Sequence, residues 1–208
     1  FDGRERVVLM PAGQRFAYDQ GVRTVGARIV EVADAARLEE ALAAHHVAAV
    51  LLFGERDPDS SLTFDDLLPR ARRAGIPVIV DAASEFLTFP EKWTARGADL
   101  VVYSVSKRMR GPAASGILLG RKPLVKAAWY NSPPHQSFGR MMKISKEQIV
   151  GALTAVEEWF ERDHEAEERG WSRTLERLRE RLRGIDGLSL EMRGALGSTV
   201  RLRVDWRA

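Results

Sequence analysis

At 208 residues, with 45% hydrophobic and 29% charged residues, the chain has the size and composition to bury one sizeable core. It contains no cysteine and four histidines, which excludes disulfides, iron–sulfur clusters and a thiolate nucleophile and argues against a zinc cage. Its 32 basic against 29 acidic residues leave a net charge of only +3, with arginines and glutamates interleaved, so charge gives a nucleic-acid partner little support.

Reading from the N-terminus, "RVVLM", "ARIVEV", "AAVLLF", "PVIVDAA", "LVVYSVS" and "SGILLG" are too short for helices and rich in Val, Ile and Leu, which predicts strands. Between several of them lie amphipathic segments, "DAARLEEALAAHH" and "TFDDLLPRARRAG", the second closed by Gly75 as helices often are. Nearly continuous apolar strands separated by helices predict an α/β fold, a mainly parallel sheet with helices on both faces. No apolar run approaches the ~18 residues that a membrane span needs, and the start does not read as a secretory signal. The expected location is the cytoplasm, away from any membrane.

"NSPPHQSFGR", Asn131–Arg140, is a long proline-broken loop of the kind that often borders a site. Beyond it, Ile149, Leu153, Val156 and Phe160, then Trp171, Leu175, Leu178, Leu182 and Ile185, recur at helical spacing and predict one long helix or two. Glu158 with Arg162 and Glu165 with Arg169 form i,i+4 pairs on the wet side. "LSLEMR" and "STVRLRVDW" then return to strand patterning. This divides the chain into a large domain over 1–145 and, over 146–208, a long helix with the start of a small C-terminal α/β domain. The sequence opens on Phe1 and stops in a strand pattern, which leads us to expect a native chain that extends beyond one or both ends.

The apolar run in "PVIVDAASEF", Pro77–Phe86, ends in Asp81, and an ionised carboxylate at the end of an apolar strand must be compensated by something. In parallel α/β sheets, ligands sit at the carboxyl ends of strands. The next strand ends in Ser104, Ser106 and Lys107. A carboxylate at one strand end and a lysine at the next is the arrangement a pyridoxal 5'-phosphate site requires. The lysine forms a Schiff base, and the carboxylate keeps the pyridine nitrogen protonated so that the ring accepts electrons. The same residues also read as a helix cap at Asp81 and a solvated surface lysine at 107. Ser104 would donate to the cofactor phosphate or cap a turn, and Gly111 and Gly116 would admit a ligand or simply serve turns.

From about Arg6 to Asp163 the sequence resembles the selenocysteine-synthase-like group of fold-type-I pyridoxal-phosphate enzymes, which includes seryl-tRNA selenium transferase and D-glucosaminate-6-phosphate ammonia-lyase. Asp81, Lys107, the Arg110-Gly111-Pro112 turn and "GRMMK", Gly139–Lys143, carry the resemblance in that order. It implies that Lys107 binds the cofactor and is catalytic, that Asp81 meets the ring nitrogen, and that Ser104 lies near the phosphate. Gln14 stands where relatives have a histidine at the cofactor. Arg140 and Lys143 match a basic stretch expected to meet an anionic substrate group or phosphate, surface cations being the other reading. His135 is a candidate proton carrier or a simple exposed loop histidine.

The resemblance further implies a homodimer or larger assembly and a small-molecule substrate, an amino acid or amino-sugar acid, that undergoes α,β-elimination. Selenium transfer on seryl-tRNA, transamination, racemisation and a non-catalytic subunit of the same fold remain alternatives. Members of the group also carry an N-terminal part, before the segment matching Arg6, whose small-residue loop grips the phosphate; this sequence shows no counterpart.

Overall fold

The computed structural model describes residues 5–194 and 200–206. The short apolar runs form β1 (Arg6–Pro11), β2 (Ala27–Val32), β3 (Val47–Phe53), β4 (Val78–Asp81), β5 (Leu100–Ser104) and β6 (Gly116–Gly120), in one sheet of order β2-β1-β3-β4-β5-β6. The first five strands are parallel. β6 runs antiparallel to β5 at the edge, with Leu100 opposite Gly120 and Ser104 opposite Gly116. A loop from Val105 to Ser115 joins these two strands without a helix, and a loop that short returns the chain antiparallel, whereas a parallel partner needs a longer crossover.

The crossovers between the parallel strands carry α1 (Gln20–Thr24), α2 (Ala35–Ala44), α3 (Phe64–Arg73) and α4 (Lys92–Arg96), and α5 (Lys122–Tyr130) follows β6. Their starts are set by local chemistry. The Asp34 carboxylate accepts the Arg37 N–H at 2.9 Å, Thr63 and Asp66 form a capping box, and Glu91 accepts the N–H groups of Trp93 and Thr94. The apolar face of α3 buries Phe64, Leu67, Leu68 and Ala71 beside β3. Trp93 of α4 is edge-on to Phe64 with ring centroids 5.2 Å apart.

Side chains alternate across a strand. Along β4 and β5, Val78, Val80, Val101 and Tyr103 are buried, while Ile79, Asp81, Val102 and Ser104 point the other way and are half-buried or exposed. The two faces of the sheet are therefore not equally buried, and the more open one carries Asp81.

The chain divides into two compact units, Phe1–Val156 and Glu157–Ala208. The predicted helical stretch is two helices, α6 (Lys146–Glu161) and α7 (His164–Leu182). α7 restarts because the Asp163 carboxylate accepts the Ala166 N–H at 2.9 Å, and the His164 ring lies 4.0 Å from that of Trp159. In the second unit, α7 is followed by an antiparallel pair, β7 (Leu188–Arg193) and β8 (Arg201–Trp206). Ser198 and Thr199, at the start of the strand expected there, lie outside the described residues. Among the described residues no helix is long and apolar enough to cross a membrane.

Candidate active site

Three parallel strands finish at one edge of the sheet. Phe53 is the register partner of Asp81, so β3 and β4 end level, while β5 pairs Val102 with Asp81 and runs on two residues to Ser104. β4 stops at Asp81 because its carboxylate turns back on the chain: Oδ1 accepts the Ala83 N–H at 2.9 Å, the local Asx turn that competes with a strand ladder. No helix starts there, since the next begins at Lys92, so Asp81 is not a helix cap. Among the described residues nothing hydrogen-bonds Oδ2 and no cation pairs with the carboxylate.

Lys107 is presented by the turn that follows β5. Val105 and Met109 are buried on either side of it, and Lys107 between them is exposed. The loop is closed by its own backbone. Val105 donates to the Ser115 carbonyl at 3.2 Å, and Gly111 donates to the Val105 carbonyl at 2.9 Å. Arg110 takes a left-handed φ of 61° to make the bend. Gly111 leaves no room for a side chain, because a Cβ there would run into Val105 Cγ1 and the Ala155 side chain of α6. The lysine loop is thus clamped between the end of β5 and the middle of α6.

The Lys107 amine donates to Ser84 Oγ at 3.1 Å and stands 5.9 Å from the Tyr18 ring. No ion pair involves it among the described residues. Arg108 next to it donates to the Ser84 carbonyl at 2.9 Å and covers the Phe86 ring at 4.0 Å. The turn after β4 and the turn after β5 are therefore tied together, and they bring Asp81, Ser84 and Lys107 to one place. Ser104 belongs to the same edge, its hydroxyl 3.0 Å from that of Ser106.

Gln14 lies on the far side of β3. It is 2% exposed, its Oε1 accepts the Phe53 N–H at 2.8 Å, and its Nε2 has no partner. Phe16 stands edge-on to Phe53 at 4.4 Å and is itself covered by Arg56 at 4.6 Å.

Behind the site, the Tyr103 hydroxyl donates to Glu91 Oε1 at 2.6 Å. Burial, and then the Glu91 carboxylate, push the Tyr103 phenol far above its ordinary value. Burial acts to raise the Glu91 carboxyl, but the hydrogen bonds it receives from Tyr103, Trp93 and Thr94 outweigh that and hold it below the usual carboxylate value. A negative Glu91 thus braces β5 directly behind the lysine loop.

His135, Arg140 and Lys143 fall in the segment after α5. The His135 ring is edge-on to Trp129 at 4.3 Å and 5.3 Å from Tyr130, and Gly139 closes the loop by donating to the Asn131 carbonyl at 2.8 Å. Arg140 sits half-buried in a single 3-10 turn, Phe138–Met142, and Lys143 just after it is exposed. Among the described residues no hydrogen bond or ion pair joins these three to Asp81, Ser104 or Lys107. Sequence reading missed Ser84, Arg108 and Tyr18. Ser84 had a signal, its place just past Asp81 on a chain leaving the sheet; Tyr18 had none.

Known proteins share this fold. The chain is 32% identical over 196 residues to D-glucosaminate-6-phosphate ammonia lyase of Salmonella typhimurium (strain 14028s / SGSC 2262), covering 89% of this chain and 50% of that protein. A solved structure of D-glucosaminate-6-phosphate ammonia-lyase superposes with a TM-score of 0.72 at 29% identity, over 99% of this chain and 56% of that one. It is also 39% identical over 125 residues to 5'-C-glycyluridine monooxygenase-decarboxylase of a Streptomyces species, covering 60% of this chain and 30% of that protein. The fold alone is shared with a structure of SPT with PLP, at a TM-score of 0.58 and 20% identity over 90% of this chain and 49% of that one. The chain spans about half the length of the ammonia lyase, and the sheet is that of fold-type-I pyridoxal-phosphate enzymes. Residues 61–188, which include Asp81, Ser84 and Lys107, match aminotransferase class-V over more than half of the chain, and the chain belongs to that family.

Proposed function

We propose that this chain carries the pyridoxal-phosphate site of a lyase that acts on an amino acid or amino-sugar acid, removing a proton from Cα and a substituent from Cβ. One observation supports this above the others: a carboxylate with an open oxygen and an amine with no ion pair stand on adjacent turns at the carboxyl edge of a parallel sheet.

The residues present fit the cofactor. Asp81 offers an acceptor for a protonated ring nitrogen, Lys107 a primary amine, Ser104 and Ser106 hydroxyl donors, and Gln14 a buried amide donor with nothing to bond. When bound, pyridoxal phosphate supplies an aldehyde that condenses with amines and a cationic ring that draws electrons from the carbon beside the nitrogen. Lys107 Nζ would hold the cofactor and, when free, take the proton from the substrate Cα, with Ser84 Oγ orienting it. Asp81 Oδ2 would keep a proton on the ring nitrogen. Ser104 would face the phosphate, and Arg140, Lys143 and His135 would serve an anionic substrate once it is bound.

A homodimer in the cytoplasm is part of this proposal. Met141, Met142, Val150 and Leu153 are 82%, 59%, 61% and 60% exposed, apolar side chains of the kind a second copy would cover. Borohydride reduction of the intact protein with pyridoxal phosphate, followed by peptide mapping, tests the reading. A reduced adduct on Lys107, absent in Lys107→Ala, is the expected result; an adduct elsewhere or none would sink it.

A further inference from the structure

The edge of the sheet opposite Asp81 carries a depression of about 300 Å³ lined by Arg72, Gly75, Ile76, Asp99 and Arg121. Topology brings these residues together. Gly75 and Ile76 lead into β4, Asp99 leads into β5, and Arg121 follows the antiparallel β6, whose Gly120 is the register partner of Leu100. The Asp99 carboxylate is already spent, one oxygen accepting the Val78 N–H and the other the Arg121 guanidinium. What the depression has left to offer is donors.

A guanidinium carries a planar fork of N–H donors. Arg121 gives one to Asp99 at 2.9 Å and keeps its side chain 65% exposed. Arg72 gives one to the Gly97 carbonyl at 3.2 Å, and among the described residues no carboxylate pairs with it. Its neighbours on the last turn of α3 are spent differently: Arg70 and Arg73 both reach Glu39, at 3.5 and 2.6 Å. Nor is Arg72 needed to cap its helix, because the Arg72 carbonyl accepts the Gly75 N–H at 3.1 Å and the Ala71 carbonyl the Ile76 N–H at 2.9 Å. Its guanidinium is held in place by Gly97, whose left-handed φ of 106° suits glycine and where a Cβ would run into the Arg72 side chain. α5 starts beside Arg121 with no side-chain cap and no acidic residue in its first turn, which adds to the positive field. Two guanidinium groups therefore meet a single carboxylate that is already occupied. We propose that this depression binds a phosphate group, free or on a small ester, between Arg72 and Arg121. The site lies at the other end of β4 and β5 from Lys107 and stands or falls independently of the pyridoxal-phosphate reading.

Calorimetric titration of the intact protein with inorganic phosphate, in chloride buffer at low ionic strength, tests the proposal, with glucose 6-phosphate as a second ligand. Arg72→Gln should weaken phosphate binding roughly tenfold, as loss of a charge-assisted hydrogen bond implies. Arg73→Gln removes the same charge from an arginine that is spent on Glu39, and should change it by less than about twofold. Phosphate held at the Asp81 and Lys107 edge would be indifferent to both substitutions, so a titration unchanged in Arg72→Gln overturns the proposal. Equal weakening in the two variants overturns it as well, since that is a diffuse effect of net charge. So does a wild type that binds no phosphate at millimolar concentration. Should Arg72→Gln fail to fold, Arg72→Lys keeps the charge but not the planar fork and should weaken binding severalfold, an unchanged affinity again being contrary. Glucose 6-phosphate that binds more tightly than phosphate, and loses that binding in the Arg72 variant, identifies an ester as the ligand; equal binding identifies free phosphate.

Discussion

Asp99 and Asp81 lie at opposite edges of the same two strands and are partnered in opposite ways. Asp99, at the entry to β5, is buried and fully occupied: Oδ2 accepts the Val78 N–H at 2.8 Å, and Oδ1 accepts the Arg121 guanidinium at 2.9 Å. Asp81, at the exit of β4, has one N–H from its own turn and no cation. Both carboxylates flank apolar strands, so both need compensation. The fold supplies it at one edge and leaves it out at the other. A carboxylate kept for stability arrives with its partners, and one kept for a ligand is left with an oxygen open.

Substitutions can break this contrast. The largest effect is expected at Lys107→Ala, where turnover should fall by at least about a thousandfold in steady-state assays with the fold intact. Asp81→Asn follows, with turnover lower by roughly a hundredfold but the cofactor-free unfolding free energy within about 0.5 kcal/mol of wild type in a denaturant titration. Asp99→Asn should do the reverse: about 1.5–3 kcal/mol of stability lost with its charged hydrogen bonds, and turnover per folded molecule retained. Gly111→Ala, which forces a methyl group against Val105 and Ala155, should cost about 1–3 kcal/mol and slow adduct formation at Lys107, readable by stopped-flow absorbance.

The smallest effect is a pH dependence at the brace behind the lysine loop. The folded-state value of Glu91 lies below its unfolded one. Its contribution is therefore complete above the ordinary carboxylate value and is lost as pH falls through the folded-state value. Unfolding free energy followed from neutral pH down into the acid range should drop less steeply in Glu91→Gln than in wild type.

How far this was legible in the sequence differs between the two edges. The strands were readable because β3, β4 and β5 are short and β-branched between helical patterns, and Asp81 and Lys107 stood out as the polar ends of apolar runs. The turn at Ala83 was not, because an Asx turn and a helix cap begin with the same residue type. β5 stops at Ser104 although "LVVYSVS" continues in strand composition, since Val105 is drawn into the core by the loop closure with Ser115 and Gly111. α4, with five residues, is too short to show a period. The break between α6 and α7 could have been found from Asp163, a good cap residue followed by two polar positions. The partners of Asp99 and the open amide of Gln14 depend on contacts between residues far apart in the chain, and local pattern carries no trace of them.

The most direct measurement is the unfolding free energy of wild type, Asp81→Asn and Asp99→Asn, each with and without saturating pyridoxal phosphate. Ligand at about a hundred times its Kd adds about 2.7 kcal/mol to a folded state that binds it. Asp99→Asn should be destabilised in both conditions and keep that gain, whereas Asp81→Asn should match wild type without cofactor and lose most of the gain with it. If Asp81→Asn is instead destabilised as much as Asp99→Asn without cofactor and still gains fully on adding it, Asp81 is a structural carboxylate and not a cofactor group.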